Sequence, residues 1–247
     1  MGQPPSVRQR ADCCLRLSGV DWRTYSRLLR VFAERPGVHL TYDRGELEII
    51  SPLLKHDNDG QFLGRLLVAL TEELGLPVKG GGSATMRRRR KGRGLEADEC
   101  YWIANAPWMV GRRRLNLRKD PPPDLAIEVD VTQSSLDRMA IYAALRVPEV
   151  WRLEGDSLTF HVLGTAGTYE AATVSRSFPL VTPADLLSLV QQARQAADEN
   201  AVVREFRAWV RQRHGLRGCE TNSTMTSMLG RQTWIVLGCP ARRCCAA

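Results

Sequence analysis

From residue 18 onward the chain breaks into segments whose apolar spacing changes period. Trp22, Tyr25, Leu28, Leu29 and Phe32 recur at helical spacing, Asp21 stands where an N-cap belongs, and Pro36 with Gly37 ends the run. The period then shortens to two. His39 to Tyr42 and Glu46 to Ser51 read as two strands joined by the turn residues Asp43, Arg44 and Gly45, which predicts a hairpin. Beyond Pro52 a second amphipathic helix is predicted from about Asp57 to Leu74, with Leu63, Leu66, Leu67 and Leu70 on its apolar face and Gly75 and Pro77 as its stop.

The glycines 80 to 82 form a joint into a predicted strand over Ser83 to Arg90, and Asp98 to Ile103 reads as a short strand rich in aromatics. A loop carrying Pro107 and Arg112 to Arg114 closes on the rigid run Pro121 to Pro123. From there Leu125, Ile127 and Val129 alternate with Asp124, Glu128 and Asp130, so the three acids share one face of a strand whose other face is apolar. A helix follows from Ser134 or Ser135 to Leu145. Strands are predicted at Val150 to Leu153, Leu158 to Leu163 and Tyr169 to Val174, and a long helical stretch from Pro183 to about Arg213. Residues 1–16 read as a loose leader, 17–215 as the folded domain with a central mixed sheet flanked by helices, and 216–247 as a poorly ordered tail.

Composition adds constraints rather than an identity. A chain of 247 residues fits one domain of moderate size with trimmings, or at most two small ones, and 43% hydrophobic with 25% charged residues is ordinary for a globular protein. The net charge of +8 is concentrated at Arg87 to Lys91 and Arg112 to Arg114. Such clusters attract polyanions by counterion release, which favours nucleic acid as a partner without requiring it. No run of 18 apolar residues occurs and Met1 to Arg10 is polar, so neither membrane spanning nor secretion is expected. Seven cysteines in irregular spacing predict reduced thiols in a cytoplasm, and Cys239, Cys244 and Cys245 lack zinc-ligand spacing.

The acidic strand is where chemistry is expected. Burying an unpaired carboxylate costs several kcal/mol, about 3 to 5 where a partner is lost, so these acids must meet water, a cation or a basic partner. Asp98 begins a neighbouring strand, and two carboxylates on adjacent strands suit Mg²⁺, which takes one or two protein carboxylates plus waters and phosphates.

Several separated blocks share an order with a known family: Leu40-Thr-Tyr-Asp-Arg-Gly-Glu-Leu-Glu-Ile-Ile-Ser-Pro, Gly94-Leu-Glu-Ala-Asp-Glu-Cys-Tyr-Trp-Ile, Pro122-Pro-Asp-Leu-Ala-Ile-Glu-Val-Asp, and Ser135-Leu-Asp-Arg-Met-Ala-Ile-Tyr. The chain resembles the Uma-two family of restriction-endonuclease-like proteins, within the PD-(D/E)XK nuclease superfamily, over about residues 17 to 213. That resemblance implies a restriction-endonuclease-like core in which Asp98 and Glu128 bind Mg²⁺ or Mn²⁺, Glu46 approaches the same site from the hairpin, and His56 contacts substrate or relays a proton. The pattern departs at the lysine. Asp130 stands two residues after Glu128, and the alternative lysine position on the next helix, four residues before Tyr142, is Arg138. Arginine keeps the charge but cannot act as a base. A metal-dependent endonuclease acting on nucleic acid, DNA foremost, is therefore the expected function. A catalytically weakened binding or regulatory module of the same fold is the alternative, and a structural partner in a homodimer is a third reading.

Overall fold

The computed structural model describes residues 13–33, 37–51, 54–129 and 136–220, without the side chains at 13, 51, 54–57 and 216–220. Two sheets share one body. In the first, β1 (Cys13–Leu17), α1 (Trp22–Phe32), β2 (His39–Asp43) and β3 (Glu46–Ser51) lead off, and β5 (Thr85–Arg88) and β6 (Arg93–Glu96) complete an antiparallel sheet of order β1-β3-β2-β6-β5. The hairpin between β2 and β3 turns where the sequence predicts it. Arg44 and Gly45 both take positive φ, 49° and 103°, the combination a two-residue hairpin turn requires. Asp21 caps α1 by accepting from the Thr24 N–H at 2.7 Å, and Tyr25 of that helix stacks on Tyr42 of β2 at 4.7 Å between ring centroids.

The second sheet holds the acidic strand. β4 (Lys79–Gly80), β7 (Glu99–Trp102), β8 (Leu125–Val129), β9 (Glu149–Glu154), β10 (Ser157–Leu163) and β11 (Tyr169–Ala172) run in the order β11-β10-β9-β8-β7-β4. Among the described strands only β8 and β9 pair in parallel, because α3 (Arg138–Leu145) crosses over between them. The sheet is therefore mixed, as expected. On one face lie α2 (Leu54–Glu73), α4 (Pro183–Ala193) and α5 (Glu199–Glu220), packed on Leu125, Ile127, Val129 and Trp151. On the other, Ile141 and Tyr142 of α3 pack with Ala126, Cys100 and Trp102. All five residues of β8 are buried as a result.

The structure corrects the sequence reading in several places. Cys13 to Leu17 is no part of a loose leader; it pairs antiparallel with β3 from Cys13↔Ser51 to Leu17↔Leu47. Its residues Leu15 to Leu17 are exposed, so the strand is held by its backbone ladder and leaves no burial pattern in the sequence. The single strand over Ser83 to Arg90 is instead Thr85–Arg88 followed by a turn of 3₁₀ helix, Arg89–Lys91, which reverses at Gly92 (φ 58°) into the unforeseen β6. The long C-terminal helical stretch is two helices, the first capped by a reciprocal pair of bonds between Thr182 and Asp185. The second continues past 215 to Glu220; residues 1–12, 130–135 and 221–247, which include Asp130, the start foreseen for the third helix and most of the tail, lie outside the described residues. Among the described residues no helix is long and apolar enough to cross a membrane.

Candidate functional site

Glu128 is the fourth residue of β8 and points away from the α2 side, toward α3. The residues that meet it there lie on one helical face, one turn apart. Asp137 accepts from the Ala140 N–H at 2.9 Å and starts α3, which makes Arg138 its first residue and sets Tyr142 directly above. Arg138 Nη2 donates to Glu128 Oε2 at 3.0 Å, and the Tyr142 hydroxyl donates to the same oxygen at 2.6 Å. Arg138 Nε lies against Glu128 Oε1 as an ion-pair contact without hydrogen-bond alignment. Thus one carboxylate oxygen accepts two donors, and the other lies against the Arg138 charge.

Arg138 also ties the two sheets together. Its Nη1 donates to the Thr41 hydroxyl on β2 at 2.5 Å, and its Nη2 donates to the Glu96 carbonyl on β6 at 2.8 Å. Burial works against its charge, but the carboxylates of Glu128 and Asp98 outweigh that penalty and hold its pKa above the ordinary arginine value. Burial drives the Tyr142 hydroxyl well above the usual phenol range, and the neighbouring Glu128 charge adds to the shift. Tyr142 therefore serves as a neutral donor.

Asp98 occupies the bend that leads into β7. The β7–β8 register pairs Glu99 with Ile127 and Cys100 with Ala126; carried one step further, it sets Asp98 opposite Glu128. Asp98 Oδ2 accepts from the Val129 N–H at 2.7 Å, which fixes it one residue from Glu128. Gly60 of α2 lies alongside, its ideal Cβ position being 3.8 Å from Asp98 Cβ and 3.5 Å from Val129 Cγ2, ordinary contact distances. Asp98 thus stands across the strand pair from Glu128, and the charges of both act on Arg138.

Glu46 is not. Arg16 Nε donates to it at 3.0 Å and the Ser18 hydroxyl at 2.8 Å, and this Arg16 pairing with the Ser18 bond, the largest cause, keeps its carboxyl below the usual pKa. It belongs to the β1–β3 edge of the first sheet. The acid of β3 that points toward the Arg138 contact is Glu48, fully buried and cross-strand from Thr41. The sequence reading named Glu46 and missed Glu48, which shares its strand face; the register with Thr41 is what distinguishes it. His56 falls in the first turn of α2, with its side chain outside the described residues. Asp124 precedes β8 and folds the preceding loop, accepting from the N–H groups of Ile103 and Asn105 at 2.7 and 2.9 Å.

The family model described as "Uma2: Putative restriction endonuclease" matches residues 22–197. The chain belongs to that family. Among curated proteins none matches. A solved structure from Anabaena variabilis described as a "putative nuclease belonging to DUF820" aligns over 61% of this chain and 90% of its own, at 14% identity and a TM-score of 0.44. The family assignment rests on the sequence match and not on that likeness.

Within this Uma2 chain the donor chemistry can be set against a divalent cation. Asp98 and Glu128 offer hard oxygen ligands, and two carboxylates suffice for Mg²⁺ or Mn²⁺ because such ions keep several waters. The Arg138 guanidinium lies against both Glu128 oxygens and Tyr142 donates to Oε2, so a cation would share this carboxylate with the guanidinium. Among the described residues no group of three or more acids, histidines or cysteines is placed to hold a metal ion, so any ion bound here would keep most of its ligands as water or substrate oxygens.

Proposed function

We propose that this chain is a divalent-metal-dependent endonuclease that hydrolyses phosphodiester bonds in nucleic acid, with DNA as the substrate. The observation that carries the reading is the cross-strand juxtaposition of Asp98 and Glu128, on a β7–β8 pair covered from both sides, in a chain of the Uma2 family. Asp98 and Glu128 would hold Mg²⁺ or Mn²⁺. When bound, such an ion polarises the scissile phosphate and acidifies a water. Arg138 stands where the related nucleases carry lysine. Its proton is held fast, so it contributes fixed positive charge beside the phosphate and is not the base. Glu48, buried behind Thr41, completes the acidic side of the site.

One observation favours a second reading. The Arg138–Glu128 pair is buried, with 9% and 4% side-chain exposure, and Tyr142 closes it. A carboxylate so fully neutralised suits a module that binds nucleic acid and no longer cuts it. A cleavage assay with a panel of divalent ions separates the two. The endonuclease reading expects nicking or scission with Mg²⁺ or Mn²⁺ that Glu128→Gln abolishes; binding without cleavage under every ion supports the module.

A further inference from the structure

Behind α3, on the side away from Glu128, the surface opens into a cleft of about 1110 Å³ between that helix, the 3₁₀ turn Arg89–Lys91 and the β10–β11 hairpin. Its floor is made of small side chains, Ala140, Ala143 and Ala144 of α3. Its rim carries Lys91, Arg146 and Arg176, all exposed, and no acid among the described residues pairs with any of them. Asp137 is the one acid among the lining residues, and it is already engaged as the cap of α3. Arg93, also in the wall, is matched by Asp43 at 2.8 Å.

Arg146 is placed at some cost. It is the residue that ends α3 in the left-handed region, at φ 65°, a position that favours glycine. Its charge also bears on Arg88, whose Nε is buried without a hydrogen-bond partner. Three exposed cations beside small residues, none paired with an acid among the described residues, give the cleft a positive potential that favours a polyanion.

We propose that this cleft is a track for the phosphate backbone of nucleic acid, with Lys91, Arg146 and Arg176 contacting successive phosphates, and that it leads the strand along α3 toward the Asp98–Glu128 site. The inference rests on the nucleic-acid reading above but not on cleavage. Asp137, which lines the cleft, is the residue before Arg138, so the cleft and the Arg138–Glu128 pair lie next to each other at the N-terminal end of the same helix. Alanine floors let a backbone approach closely, and the three cations supply affinity without sequence preference.

The test is binding of fluorescein-labelled mixed-sequence DNA, single-stranded and duplex, by the full chain in excess EDTA, measured by anisotropy across a salt series. Replacing Lys91, Arg146 or Arg176 by glutamine should each weaken binding and lower the slope of log affinity against log salt by about one. Arg146→Gly is the second arm. It relieves the backbone strain, so it should melt higher than the parent while binding less tightly, a combination that damage to the fold does not produce. Binding and salt slopes unchanged in all four variants would overturn the track, even in a protein that cuts DNA. Loss of binding in these variants supports it, even in one that cuts nothing. Polyglutamate displacing the DNA at equal charge concentration would overturn it in favour of an acidic protein partner.

Discussion

Arg138 and Glu128 form a buried ion pair in which the guanidinium also donates to Thr41 on one sheet and to the Glu96 carbonyl on the strand beside it, so a single side chain joins the acidic strand to the neighbouring hairpin. Removing one partner leaves the other charged and dry. Arg138→Met should therefore destabilise the fold by about 3 to 5 kcal/mol, and Glu128→Leu by a similar amount. The double variant Arg138→Met/Glu128→Leu should be more stable than either single one, though below the parent, because Thr41 and Tyr142 lose their partners at about 1 to 3 kcal/mol each. Urea unfolding of the four proteins measures this. Additive losses in the double variant would mean that the pair is not coupled.

The same accounting shows what could be read from the sequence. Alternation at Leu125, Ile127 and Val129 predicted an anchored strand with Glu128 on its opposite face, and the hairpin at Asp43 to Gly45 follows from its turn residues. The partner of Glu128 was visible as a helix position, Arg138 four residues before Tyr142, but its bond to Thr41, 97 residues away, depends on how two sheets meet. Glu46 and Glu48 lie on one strand face, and only the cross-strand neighbours, Asp43 for one and Thr41 for the other, decide which acid faces the site. β1 left no pattern because an exposed edge strand is specified by backbone bonding rather than by burial.

Asp43 offers a pH test of the hairpin's anchorage. Burial opposes its charge, but Arg93 and Arg44 both donate to it, with Arg93 Nε at 2.8 Å, and the net effect holds its pKa below the ordinary 3.8. A carboxyl depressed in the fold contributes stability that is complete above the unfolded pKa and fades as pH falls through the folded one. Asp43→Asn should accordingly be less stable than the parent at neutral pH, and the gap should close in strongly acidic solution. Thermal melts over a pH series give the comparison, and a gap independent of pH would assign the loss to packing instead.

Close packing of α2 on β7 makes a further prediction. A Cβ on Gly64 would collide with the Tyr101 hydroxyl, while the next ring atom is at 3.5 Å, an ordinary contact. Alanine gains about 1 kcal/mol of helix propensity over glycine, but overpacking costs about 1 to 3. Gly64→Ala should therefore destabilise on balance, and adding Tyr101→Phe should recover most of the loss. Failure of the second change to rescue the first would show that the helix moves to make space.

Cys100 reports on the integrity of the core beneath the site. It is fully buried between the sheets and α3, and burial pushes its thiol up to about 12. Alkylation followed by mass spectrometry should leave Cys100 unmodified in the native protein at neutral pH and modify it on unfolding. Ready modification of native Cys100 would mean that this core opens on the timescale of labelling.

The proposed function requires Asp98 and Glu128 to act as one cation site. Calorimetric titration of the full chain with Mn²⁺ tests that directly, with Asp98→Asn as the comparison because its amide oxygen can still accept from the Val129 N–H. The expected result is saturable heat in the parent and its loss in Asp98→Asn at unchanged melting temperature; no heat in the parent, or the same heat in both proteins, would contradict it.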